Sequence, residues 1–178
     1  MGKQTVGRSD GQTVKDASEP TVRPSDRPTV LHAGALVRTL QGAYAKGNRR
    51  KDLLQLVATR MRQTGSPYTG VYLYMVHSND LVLEAFDGRP TEHTRIPVGE
   101  GLCGRAVAER RDINAADVSA EANYLACSIE TRSELVVLIR RGDEILGQID
   151  VDSDVVNGFD EPEQAAVKEV ADALAALL

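Results

Sequence analysis

Apolar side chains recur at three-and-four spacing in two early windows: Leu36, Val37 and Leu40 within 33–44, and Leu53, Leu54, Val57 and Met61 within 51–61. That spacing gathers them on one side of a 3.6-residue period, so each window is predicted to be an amphipathic helix, with Gly47-Asn48 as the break. Farther along, the apolar runs shorten. Residues 70–76 (Gly-Val-Tyr-Leu-Tyr-Met-Val) and 81–86 read as strands joined by a Ser78-Asn79-Asp80 turn, and 94–98 as a third extended piece. A second hairpin is predicted from 134–140 and 144–152 around Arg141-Gly142-Asp143. Between the hairpins lie a short helix at 104–109, a brief strand at 112–114 and an irregular, partly helical excursion over 116–126. An alanine-rich amphipathic helix, 161–178, closes the chain, with Asp160 as N-cap and Pro162 tolerated in the first turn.

Hairpins demand antiparallel pairing. The order helices, hairpin, excursion, hairpin, helix therefore predicts an α+β domain with a central antiparallel sheet, helices on one face, and an excursion free to cover a pocket. The domain is expected over 33–178. Residues 1–29 are rich in Gly, Ser, Thr, Asp, Pro and basic side chains with almost no large apolar side chain except isolated valines, and 1–32 is expected to be a disordered tail. Within it a Thr-Val pair recurs at Thr5, Thr13, Thr21 and Thr29. This reads as a degenerate low-complexity repeat; the sharper alternative is a set of phosphothreonine sites near Thr13.

With 178 residues, 42% of them hydrophobic, the chain has material for one domain with a core and not for two. A net charge of -5 and the absence of a basic run beyond Arg49-Arg50-Lys51 argue against nucleic acid as a partner. No apolar stretch approaches the roughly 18 residues of a membrane span, and a soluble, cytoplasmic protein is expected. The amphipathic terminal helices suggest a homodimer through their apolar stripes.

The chemistry is concentrated in the second half. Both cysteines, Cys103 and Cys127, fall near Glu134, Asp150 and Asp152. Neighbouring negative charges oppose thiolate formation and hold carboxylic acids protonated, which suits a reaction needing a nucleophile and an acid together. Gly99-Glu-Gly101-Leu-Cys103-Gly104 matches a dinucleotide fingerprint in letters only, since the surrounding parallel strands are missing. It reads instead as a glycine turn feeding a helix N-terminus that would lower the Cys103 pKa; the plainer alternative is a small buried cysteine in a packed turn. Asp150-Val-Asp152-Ser-Asp154 imitates a calcium loop but has Val155 at the obligatory glycine position. On a strand, Asp150 and Asp152 share one face while Ile149 and Val151 take the other. This pair is either a solvated strand end or a built acidic site. His93, Cys103 and Cys127 have no zinc-module spacing, so no metal is expected.

These residues, in order, resemble the GAF domain family, and within it the free methionine-R-sulfoxide reductases, over about 36–178. The resemblance is carried by Tyr68-Thr-Gly-Val-Tyr72-Leu, Phe86-x-Gly88, Arg95-Ile-Pro-Val-Gly-x-Gly-Leu-Cys103-Gly, Ala126-Cys127, Ser133-Glu134-Leu-Val-Val and Gly147-Gln-Ile-Asp150-Val-Asp152-Ser153. It implies the GAF fold and thiol-dependent reduction of free L-methionine-R-sulfoxide to L-methionine. Cys127 would attack the sulfoxide sulfur, and Glu134, Asp150 and Asp152 would hold the amine and protonate the oxygen. Tyr68 and Tyr72 would line the side-chain site. His93 stands where members commonly carry a resolving cysteine, which leaves Cys103 or an external thiol to capture the oxidised Cys127. No cofactor is implied beyond an external thiol reductant such as thioredoxin. The competing reading is a non-catalytic GAF sensor or regulatory module binding a small metabolite in the same pocket; a third is a descendant that binds the sulfoxide without turnover.

Overall fold

Alternation of side chains across the strands builds a sheet with two very different faces. The computed structural model describes residues 31–121, 124–125 and 128–178, together with Gly2; the expected tail, its Thr-Val pairs and Cys127 lie outside the described residues. The helices are α1 (Ala33–Ala45), α2 (Arg50–Arg62), α3 (Gly101–Glu109) and α4 (Glu161–Ala175). The strands are β1 (Gly70–His77), β2 (Asp80–Asp87), β3 (Arg95–Pro97), β4 (Ile113–Ala115), β5 (Ser133–Arg141) and β6 (Glu144–Ser153). They form one six-stranded sheet in the order β3-β2-β1-β6-β5-β4, with every pairing antiparallel, as the hairpin signals predict.

On one face Val71, Leu73 and Met75 of β1, Ile149 and Val151 of β6, and Leu135, Val137 and Ile139 of β5 merge with the apolar stripes of α1, α2 and α4 into the larger core. On the other, Tyr72, Tyr74, Val136 and Leu138 pack with Leu102, Cys103 and Ala106 of α3. The expectation of helices on one face is thus corrected: three helices cover one side and α3 the other. A nine-residue helix carries too little pattern to reveal which layer it joins. The stripes behind the homodimer expectation, including Leu36 and Leu40 of α1 and Val167, Val170 and Leu174 of α4, are buried within this core.

Boundaries moved where turns are tight. The first hairpin closes over Ser78 and Asn79 alone, with Ser78 at φ 57, and the second over Gly142 and Asp143, with Gly142 at φ 59. Asp160 caps α4 as expected, accepting a hydrogen bond from the Glu163 amide at 3.0 Å. Leu31 is already buried, and its amide donates to Glu163 Oε1 at 3.3 Å, so the packed structure includes a residue assigned to the tail. No helix among the described residues is long and apolar enough to cross a membrane.

Helix α3 begins three residues earlier than its apolar pattern suggests, which puts Cys103 inside its first turn. Gly104 sets its depth: a Cβ there would collide with the Pro97 carbonyl oxygen and lie 2.9 Å from the Gly99 nitrogen. Both are backbone atoms and cannot swing away. We expect Gly104→Ala to destabilise the fold by about 1–3 kcal/mol through overpacking, read as a lower midpoint in urea, whereas Gly42→Ala, whose Cβ would meet nothing within 4 Å, should leave the midpoint unchanged or raise it.

Candidate functional site: a buried carboxylate cluster facing Cys103

Period-two alternation places Asp150 and Asp152 of β6 on the α3 side of the sheet, with Gln148 in the same row. Glu134 of β5 stands directly opposite Asp152, and Tyr72 of β1 opposite Asp150. Exposures of 0% for Asp150 and 2% for both Glu134 and Asp152 exclude the solvated-strand-end reading. Like charges directly opposite one another on a sheet repel, and ionised carboxylates buried without partners are costly. Among the described residues, Glu134 Oε2 and all four carboxyl oxygens of Asp150 and Asp152 are buried without a well-formed hydrogen bond, their nearest polar neighbours being Cys103, Thr131 and one another.

Protons relieve this strain. Burial, then the charges of Asp150 and Asp152, raise the Glu134 pKa well above the usual carboxylate range. Burial and then the Asp152 charge do the same for Asp150, against an opposing hydrogen-bonding influence of Cys103 and Glu134. Asp152 is pushed up to about 7, chiefly by burial, with Thr131 and the positive charge of Arg89 pulling the other way. The cluster therefore holds protons near neutrality, as a site that delivers one must. Tyr124, from the excursion, faces it; burial and then Glu134, Asp152 and Asp150 raise its phenol pKa.

Cys103 reaches the cluster from α3, with Sγ 4.0 Å from Glu134 Oε1. One ligand atom each from Cys103, Glu134 and Asp150 lie within 4.8 Å of one another. Leu125 closes over the start of this helix: a Cβ on Gly101, which sits at φ 60, would come within 3.1 Å of the Leu125 side chain. What remains between them is a cavity of about 10 Å³ bordered by Cys103, Glu134, Glu100, Ile96 and Leu125, close to the room that one water molecule needs. Tyr124 and Leu125, from the end of the excursion, thus face the site, as the excursion's position between the hairpins suggests.

The remaining expected residues divide. Tyr72 lies in the site layer, its hydroxyl donating to the Arg89 carbonyl at 2.9 Å and its ring stacked on Phe86. Tyr68 does not join it. Its ring packs edge-on against Phe159 in the larger core and its hydroxyl donates to Glu163, so the structure places it on the opposite side of the sheet from the carboxylates. His93, half-buried, accepts the Tyr74 hydroxyl through its backbone carbonyl at 2.7 Å. Asp154 forms a paired hydrogen bond with the Arg89 guanidinium, at 2.8 and 2.7 Å. Sequence reasoning missed four contributors: Tyr124, Thr131, Gln148 and Arg89. Gln148 alone was legible, since it shares the parity of Asp150 and Asp152; its side-chain oxygen and nitrogen are both buried without a partner among the described residues.

A single antiparallel six-stranded sheet flanked by helices on both faces defines an α+β domain. More narrowly, the chain belongs to the GAF domain family, whose sequence model, described as "GAF domain", matches residues 48–178. It is 33% identical over 125 residues to GAF domain-containing protein A of Dictyostelium discoideum, covering 70% of this chain and 78% of that protein. It is 32% identical over 97 residues to the free methionine-R-sulfoxide reductase of Escherichia coli, covering 54% of this chain and 58% of that one. Among solved structures, the type II free methionine-R-sulfoxide reductase from Thermoplasma acidophilum superposes with a TM-score of 0.69 at 32% identity, over 80% of this chain and 94% of that one.

The buried carboxyls also set a pH dependence of folding. Asp152 titrates at about 7 in the folded chain and near 3.9 in an unfolded one, so the folded form holds the extra proton between those values. Its stabilising contribution is complete below the unfolded value and is lost as pH rises through about 7. Glu134 and Asp150, raised in the same direction, add with the same sign. The melting temperature of Asp152→Asn should therefore fall less than that of the native protein on going from about pH 5 to pH 8; an equal fall would show that Asp152 does not carry the proton.

Proposed function

We propose that this protein reduces free L-methionine-R-sulfoxide to L-methionine with electrons from an external thiol reductant such as thioredoxin, with Cys127 as the nucleophile. The observation that carries the reading is the buried, proton-holding cluster of Glu134, Asp150 and Asp152 beside a thiol-bearing helix turn. The similarity to proteins named free methionine-R-sulfoxide reductase supports it.

The chemistry demands such a cluster. Sulfoxide sulfur becomes electrophilic only once its oxygen accepts a proton, so a group that is still protonated near neutrality must lie within reach of it. Glu134 is the proton donor: its Oε1 lies 4.0 Å from Cys103 Sγ, and it is the acid that acts most strongly on Tyr124. Asp150 and Asp152 give up protons as the substrate ammonium arrives, because a bound cation stabilises their charged forms. The Cys127 thiolate then bonds to the sulfoxide sulfur while the oxygen takes the proton. Collapse transfers the oxygen to Cys127 as a sulfenic acid and releases the thioether. A second thiol, from Cys103 or from the reductant, condenses with the sulfenic acid, forming a disulfide and releasing water. The reductant's dithiol then restores both thiols, so one sulfoxide oxygen leaves as water for every two thiols oxidised. Since the described cavity has room for about one water, admission of an amino acid requires Tyr124 and Leu125 to swing outward.

Thioredoxin-coupled turnover of the R- and S-epimers tests this. We expect R-selective turnover that Cys127→Ser abolishes and that Glu134→Gln lowers by about 10²–10⁴-fold, the range of a lost general acid. Absence of turnover with either thioredoxin or dithiothreitol, alongside retained binding of the sulfoxide, would assign the protein to the non-catalytic ligand-binding class instead.

A further inference from the structure

The three groups nearest one another in the cluster are a sulfur and two carboxyls, and this is a donor set for a metal ion as well as a proton store. We propose that Cys103, Glu134 and Asp150 form a binding site for a single thiophilic divalent cation, Zn2+ by chemistry, with Co2+ and Cd2+ as equivalents. The ligand set differs from the His93, Cys103 and Cys127 combination that spacing excludes, because two of its members come from adjacent strands and only the fold assembles them.

Geometry supports it first. Tetrahedral zinc with a Zn–S bond of about 2.3 Å and a Zn–O bond of about 2.0 Å separates sulfur from oxygen by roughly 3.5 Å; Cys103 Sγ and Glu134 Oε1 stand 4.0 Å apart. Movement of about half an ångström closes that gap. All three ligand atoms lie within 4.8 Å of one another, and both Asp150 oxygens and Glu134 Oε2 are buried without a hydrogen-bond partner among the described residues. Those buried oxygens, held at present by protons and set beside the thiol that acts on Asp150, are groups that a cation could satisfy instead. The groups acting on Glu134 and Asp150 include no cation. Size is the second argument. The cavity reaching Cys103 and Glu134 measures about 10 Å³, which accommodates a bare ion or one water without displacing Leu125.

Donor chemistry selects the ion. Mg2+ and Ca2+ require six or more oxygen ligands and gain little from sulfur, whereas one thiolate and two carboxylates suit a borderline-soft ion that accepts four ligands. Binding displaces the thiol proton and the protons held by the carboxyls, so affinity must rise with pH. An ion seated here shares Asp150 with the place proposed above for the substrate ammonium and takes up Glu134, the proposed proton donor. Inhibition of turnover by Zn2+ rests on that functional reading; the binding does not.

Cobalt titration of the purified full chain, with thiols reduced, provides the test. We expect a near-ultraviolet sulfur-to-cobalt charge-transfer band that saturates at one ion per chain and bleaches when Zn2+ is added. The band should vanish in Cys103→Ser and persist in Cys127→Ser, while Glu134→Gln and Asp150→Asn weaken binding at least tenfold. Circular dichroism confirms that each variant is folded; should Cys103→Ser not fold, the Cys127→Ser spectrum decides alone, because its sole remaining sulfur ligand of this kind is Cys103. A native protein with no band, a band that survives Cys103→Ser, or one lost in Cys127→Ser would overturn the assignment. Each of these results is independent of whether the enzyme turns over.

Discussion

Three carboxyl groups buried on one face of an antiparallel sheet are the constraint around which the rest of the molecule is arranged. Opposing pairs of like charge are unfavourable in a sheet, yet here Glu134 and Asp152 face each other across β5 and β6 with Asp150 beside them. The arrangement persists because the opposite face of the same strands carries the larger apolar core and is anchored by three helices. Large hydrophobic burial on one side holds the strands in register, and the other side can then bear a group of residues that would not assemble on their own. This separation of duties explains why a modest domain can keep nearly inaccessible acids beside a thiol.

The acids are also what makes the site selective for charge. With Asp152 poised at about 7 and Glu134 and Asp150 raised well above the usual carboxylate range by burial and by one another, the cluster holds protons when nothing is bound and gives them up when a cation arrives to stabilise the charged forms. A zwitterionic amino acid and a divalent metal ion meet that condition by different means. An anion or an apolar metabolite does not. Arg89, paired with Asp154 and Glu130, lies outside the acids and its charge pulls the Asp152 pKa down against burial.

Much of the fold was legible because its strands obey a simple parity. Asp150 and Asp152 sharing a face with Ile149 and Val151 opposite is a direct consequence of the two-residue period, and the hairpin turns followed from Ser78-Asn79 and Gly142-Asp143. The side of the sheet taken by α3 was not legible, since a helix that short presents no stripe to match against a layer. Tyr68 misled for a geometric reason: four positions from Tyr72, it would share that residue's face on a continuous strand, but β1 begins only at Gly70 and the chain bends before it. Tyr124, Thr131 and Arg89 belong to segments without a period, where only the folded path decides what faces the acids.

Because β6 serves both faces, its register couples the core to the chemistry. A slip by a single residue would drive Asp150 and Asp152 into the helix-covered core and bring Ile149 and Val151 to the thiol. The misaligned chain would lose its stability and its reactive floor in one step. The strand thus proofreads itself: no long-lived conformer can have a sound interior and a scrambled site, and any population that survives folding arrives with its acids correctly placed.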